Sequence, residues 1–241
     1  MKPIIIIAMK ELRSYFDSLT GYILLVLFLG FSGFFTWLFG NDVFMMGEAS
    51  LQVFFNWSFW TLFFFIPGIT MRSLSEEISS GSIELLSTKA VSPAQIITGK
   101  FLAAWILVII ALLLTLPYYF SVISLGKADH GAIWGGYSGL ILVSGAYISI
   151  GVFASSISKN QIIAFLITLF IGIFFHLLFE LISKALTGSI ASVFSYLSVF
   201  THYSSLMRGV IDSRDLIFFF SLIASGLLLG NYMLSRKLIT E

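Results

Sequence analysis

The run Phe101-Leu-Ala-Ala-Trp-Ile-Leu-Val-Ile-Ile-Ala-Leu-Leu-Leu-Thr-Leu-Pro-Tyr-Tyr-Phe-Ser-Val-Ile-Ser124 contains no charged residue. A helix of roughly 20 predominantly apolar residues is long enough to cross the hydrocarbon of a bilayer. Hydrocarbon offers no partner to backbone N–H and C=O groups, so a chain that enters it must pair them internally, as a helix does. This stretch therefore reads as a membrane-spanning helix. Five more stretches share its character: residues 19–39, 53–71, 132–154, 161–183 and 216–234. The whole chain agrees with them, at 58% hydrophobic, 10% charged and a mean hydropathy of +1.01. A soluble domain carries about 25% charged residues, and too few polar groups exist here to coat a globule. The expectation is an all-α integral membrane protein with six transmembrane helices in a single domain, residues 1–241.

An even number of spans puts both termini on one side. On that grouping the terminal side holds Lys2, Lys10, Arg13, Arg72, Lys89, Lys100, Lys159, Arg236 and Lys237, and the other holds Lys127, Lys184, Arg208 and Arg214. The positive-inside rule makes the terminal side cytoplasmic. Trp37, Trp57, Trp60, Trp105 and Trp134 fall near several span ends, as interfacial aromatics do. The amino-terminal apolar run is short, is followed by charge and lacks a small-residue cleavage site, so it is not read as a removable signal peptide. Net charge is +1, which gives no general attraction to nucleic acid. Cysteine is absent, which excludes disulfides, thiol catalysis and Cys-based metal sites.

Two segments lie outside the six spans. In residues 1–18, Ile5, Met9, Leu12, Phe16 and Leu19 recur at three- and four-residue steps, with Lys10, Arg13 and Asp17 on another face. That pattern suits a helix lying in the membrane interface. Residues 184–215 are too apolar for a solvated loop and too short for two crossings, with Gly188, Ser189 and Ser192 interrupting them. A re-entrant helical pair on the outer side, buried in protein, is the expected solution.

Immediately before the opening span runs the loop of residues 72–100. Ser79-Ser80-Gly81 should end a helix that prolongs the second span. Ser82 to Ser87 reads as a short helical turn with Ile83, Leu85 and Leu86 as apolar points beside Glu84. Ser92-Pro-Ala-Gln95 carries the marks of a helix start: a capping Ser, Pro in the first position, and a Gln that can close a capping box. The loop is thus a structured helix–break–helix projection with apolar and acidic points on its surface.

Pro67, Met71-Arg72, Glu76-Glu77, Gly81-Ser82-Ile83-Glu84-Leu85-Leu86, Val91-Ser92 and Gly99-Lys100 together resemble the signature loop of type-2 ABC transporter permeases. The amphipathic start ending Glu11-Leu12-Arg13-Ser14-Tyr15-Phe16 resembles that family's elbow helix. Phe200-Thr201-His202 and Arg208-Gly209-Val210-Ile211-Asp212 resemble the segment before its last span. Ala90 departs from the family, which usually has Pro before Val-Ser. The resemblance covers essentially the whole chain, and within the family it leans toward the permeases implicated in bacterial gliding motility.

The resemblance implies a division of labour. No G-x-x-x-x-G-K-[ST] phosphate loop occurs, so ATP and Mg would be bound by a separate cytoplasmic ABC ATPase and no cofactor by this chain. A second permease subunit, an identical copy or a related larger protein, would complete the pair in the bacterial inner membrane, surrounded by membrane lipid. The loop would be the coupling helix. Arg72, Glu76, Glu77, Gly81, Ile83, Glu84, Leu85 and Leu86 are its candidate contact residues, the carboxylates meeting basic groups of the ATPase and the apolar points filling a cleft. Arg208, Gly209 and Asp212 are the candidate residues of the outer segment. No catalytic or metal residue is expected.

Ionisable residues within spans are functional suspects. His176 and Glu180 stand four apart in the fifth span and suggest either a polar lining of a path or, the favoured reading, a hydrogen-bonded pair fixing the outer segment. Gly226 with Gly230, and Gly135 with Gly139, have the spacing of close helix contacts, expected here within the chain. Pro67 and Pro117 should kink their spans. The alternatives are a lipid, polysaccharide or drug exporter of the same class and, from another class, an ion-gradient secondary transporter. The latter expects inverted repeats and broken helices near the midplane. An intramembrane enzyme ranks last, because the histidines are scattered and no H-E-x-x-H is present.

Overall fold

A computed structural model describes residues 2–39, 49–82 and 91–240, and among these every regular element is helical. In chain order they are α1 (Lys2–Asp17), α2 (Leu19–Trp37), α3 (Gln52–Thr70), α4 (Ser75–Ser79), α5 (Pro93–Leu113), α6 (Leu116–Leu125), α7 (His130–Ile157), α8 (Gln161–Ile173), a π-helical turn (Phe174–Leu178), α9 (Phe179–Ala185), α10 (Gly188–Leu197), α11 (Val199–Met207) and α12 (Ser213–Thr240). Five rods are long and apolar enough to cross a membrane: Gln52–Ser79, Pro93–Leu125, His130–Ile157, Gln161–Ala185 and Ser213–Leu238. The chain is a multi-pass helical membrane protein. A further apolar pair, Pro3–Asp17 and Gly21–Trp37, is bent by 75° at its junction.

Local chemistry explains the element ends. Ser92 accepts a hydrogen bond from the Gln95 backbone N–H (3.3 Å), and the Gln95 side chain returns one from the Ser92 N–H (3.1 Å). This is the capping box read from the sequence, with Pro93 at the first position. Asp129 caps α7 through the N–H groups of Gly131 and Ala132, and Asn160 caps α8 through that of Ile162. The rod Pro93–Leu125 breaks between α5 and α6, just before Pro117. There the Tyr137 hydroxyl donates to the Thr115 carbonyl, so the break keeps its polar groups satisfied. Pro67, by contrast, sits within an uninterrupted α3.

The centre of the bundle is α7, against which α3, α5, α8, α11 and α12 all pack. Its sequence explains its place. Gly135, Gly136, Gly139, Ser144, Gly145, Ser149, Gly151 and Ser155 keep its surface low, so neighbouring backbones come close. A Cβ on Gly226 of α12 would stand 2.8 Å from the backbone carbon of Ser149, and one on Gly135 2.1 Å from the Leu206 carbonyl of α11. Both glycine pairs noted in the sequence thus serve contacts within the chain. The rods around α7 turn large apolar side chains outward, such as Ile162, Leu166 and Phe170 on α8.

One end of the bundle gathers both ends of the chain. Ser155 near the end of α7 donates to the Met71 carbonyl and accepts from the N–H groups of Leu74 and Ser75. Lys237 of α12 donates to the Ser156 carbonyl (2.9 Å), and α1 reaches the same end through Glu11. We refer to this as the loop end.

Candidate functional site

At the loop end, α1 lies across the start of α5. Ala8 is buried, and Ile7 packs where a Cβ on Gly99 would come within 2.7 Å of it. Ile5, Ile6 and Met9 are left uncovered on the other side, an apolar stripe facing away from the protein. The residue after Gly99 is Lys100, which the packing of α1 seals in at 4% exposure. Its Nζ donates to Glu11 Oε1 of α1 (3.0 Å) and to Glu77 Oε1 of α4 (2.8 Å). A buried ammonium is stable only when paired and hydrogen-bonded, and here one cation ties three elements that are distant in sequence.

A second polar link joins α4 to α8. The Arg72 Nε donates to Gln161 Oε1 (3.1 Å), and the Gln161 amide reaches Glu76 Oε2 at 3.5 Å. Beneath it the Tyr15 hydroxyl donates to the Ile69 carbonyl (3.1 Å). Burial first, and the Glu11 charge second, push this phenol well above its ordinary pKa, which keeps it a donor. At the top of α4, Ser80 caps the helix and Gly81 takes φ +72°, the left-handed geometry that ends helices.

The predicted contact residues therefore divide. Arg72, Glu76 and Gly81 are exposed at this end. Glu77 is turned to Lys100 through Oε1, which braces the projection from inside, and keeps about a fifth of its side chain exposed. Ile83, Glu84, Leu85 and Leu86 lie outside the described residues. Lys100 was missed as a site residue. Its signal was present: a lysine at the entrance of an uncharged apolar run requires a carboxylate partner.

Within the rods, the expected Glu–His pair is not made. Glu180 pairs with Lys184, four residues on, while His176 Nδ1 meets the Tyr147 hydroxyl (2.7 Å). Each residue has another partner at hand: His176 is enclosed by Tyr147, Phe59 and Phe63, and Glu180 has Lys184 one turn on. His176 is 1% exposed and stacks on Phe59 (4.0 Å) and Phe63 (4.5 Å), and its Nε2 has no hydrogen-bond partner.

At the opposite end, residues 184–215 form the short helices α10 and α11. Only α11 is buried, through Val199, His202, Tyr203 and Leu206, whereas α10 leaves Ile190, Val193 and Tyr196 uncovered. The expectation that the whole segment is buried in protein thus holds for its second half alone. Gly209 takes φ +80° and presses on the start of α7, Arg208 is exposed beside it, and Asp212 caps α12 through the Arg214 N–H. A buried pair joins α11 to α12: His202 Nδ1 to Asp215 Oδ1 at 2.6 Å, with Nε2 facing the Tyr196 carbonyl at 2.8 Å. The sequence placed His202 in a motif but gave no hint of Asp215 as its partner.

Among the described residues no group of three or more His, Cys, Asp or Glu could hold a metal ion. Lys100 thus links α4 to α1 and α5 at the loop end. No family model matches this sequence, and no curated protein is similar to it.

Proposed function

We propose that this chain is the membrane-spanning, non-catalytic permease subunit of an ATP-driven ABC transporter of the type-2 class. The observation that carries the reading is the buried Lys100 clamp, which ties the projection after α3, the amphipathic α1 and the start of α5 together. A cytoplasmic ATPase seated on the loop of residues 72–100, with ATP and Mg, would push on α4. The push would pass through Glu77 and Lys100 into the membrane. In this reading α1 is the elbow helix, the loop of residues 72–100 is the coupling loop, and a second permease subunit completes the assembly in a bacterial inner membrane.

The end-to-end geometry supports six spans. Five crossings would leave α1 and the end of α12 on opposite sides of the membrane, whereas Glu11 of α1 and Lys237 of α12 both bond at the loop end. The sixth crossing is then α2, entered through the 75° bend. The excess of basic residues makes the loop end cytoplasmic. The work performed is export or mechanical support of an envelope machine such as gliding motility; lipid, polysaccharide or drug export uses the same parts.

The test is ATP dependence. The chain purified alone should neither bind nor hydrolyse ATP, and its complex from native membranes, in lipid discs, should hydrolyse it. Hydrolysis by the isolated chain would overturn the proposal. So would proton- or sodium-driven solute uptake by vesicles containing this chain alone, which is the behaviour of a secondary transporter.

A further inference from the structure

The loop end carries a cleft of about 480 Å³ between α1, α4 and the start of α5. Its walls hold the cations Lys10, Arg72 and Lys100 and the carboxylates Glu11, Glu76 and Glu77, so their formal charges cancel. Lys100 is already engaged by Glu11 and Glu77, which leaves Lys10, Arg72 and Glu76 as the exposed charges. The second oxygen of Glu77, Oε2, is buried without a hydrogen-bond partner among the described residues. A buried acceptor in that state favours any N–H donor able to approach it.

Beside the cleft, α1 leaves Ile5, Ile6 and Met9 uncovered, the side by which an amphipathic helix lies in a membrane interface. Ser18, at the bend between α1 and α2, lines the same cleft. A polar cleft of mixed charge thus sits beside a helix suited to the membrane surface.

We propose that this cleft is a binding site for the headgroup of a single aminophospholipid, whose acyl chains stay in the surrounding bilayer. The charge pattern selects the headgroup. An anionic headgroup would meet three carboxylates as well as the cations. A trimethylammonium group has no N–H to offer them. A primary ammonium brings three donors for Glu76 and Glu77, while its phosphate accepts from Lys10 and Arg72. The inference requires only that the bundle sits in a bilayer, and stands apart from any ATPase.

The full chain, purified and delipidated in detergent, is offered phosphatidylethanolamine, phosphatidylcholine or phosphatidylglycerol with the same acyl chains, and bound lipid is counted by native mass spectrometry. One phosphatidylethanolamine should be retained per chain, with the other two bound about tenfold more weakly, the scale of losing one charge-assisted hydrogen bond. Lys10→Ser with Arg72→Ser, which removes phosphate contacts common to the three lipids, should weaken all three alike. Glu76→Gln, which removes a partner of the ammonium alone, should abolish the preference. Equal retention of the three lipids, preference for phosphatidylglycerol, or unchanged phosphatidylethanolamine binding in the Lys10→Ser/Arg72→Ser chain would overturn the proposal.

Discussion

Lys100 donates to two carboxylates from a position that water barely reaches, while Glu11 and Glu77 keep about a fifth of their side-chain surface exposed. Removing the ammonium leaves two like charges facing each other, and breaking a buried pair in this way costs on the order of 3 kcal/mol. Lys100→Met should therefore lower the melting temperature of the purified chain markedly. Adding Glu11→Gln and Glu77→Gln should restore most of the loss, because the stranded charges are then gone. A triple variant no more stable than Lys100→Met would show that the clamp is not what orders this corner. At this scale the sequence was only partly legible. It singled out His176 but passed over Lys100, whose partners Glu11 and Glu77 are distant in the chain. For His176 it suggested the wrong partner, because Tyr147, which it meets, lies on another helix.

Elements were read far better, because their ends are written in short-range chemistry. Ser92, Pro93 and Gln95 announced the start of α5 and form the box expected of them. Ser92→Ala should cost about 1 kcal/mol, the usual worth of an N-cap, seen as a lower melting temperature and faster hydrogen exchange at the start of α5. No change in exchange there would mean that the packing of α1 alone holds the helix start. Gly81 likewise announced the end of α4, through the positive φ that it adopts. The break between α5 and α6 was anticipated as a kink at Pro117, whereas Pro67 gave no break, since a proline in a buried helix can be carried by its neighbours. The split burial of α10 and α11 was not legible, because both are comparably apolar and only tertiary contact with α7 separates them.

For the whole molecule, composition alone dictated a helical membrane bundle, since so few charges cannot coat a globule. It could not say which rod would be central. That follows from the small residues of α7, whose low surface admits α12 on one side and α11 on another. Around this core the loop end collects α1, α4, the start of α5 and the end of α12, so a force applied at one place reaches several rods. Such an arrangement suits a subunit moved from outside by a partner. The most direct measurement is recovery of that partner from native membranes with the tagged full chain, identified as a polypeptide bearing a G-x-x-x-x-G-K-[ST] phosphate loop. The account predicts that it co-purifies with the unaltered chain and is lost with Leu85→Ala or Glu84→Ala, although both variants still insert in the membrane. An interface anchor of that kind is typically worth about 2 kcal/mol or more. Absence of any such polypeptide, or its undiminished recovery with both variants, would contradict the account.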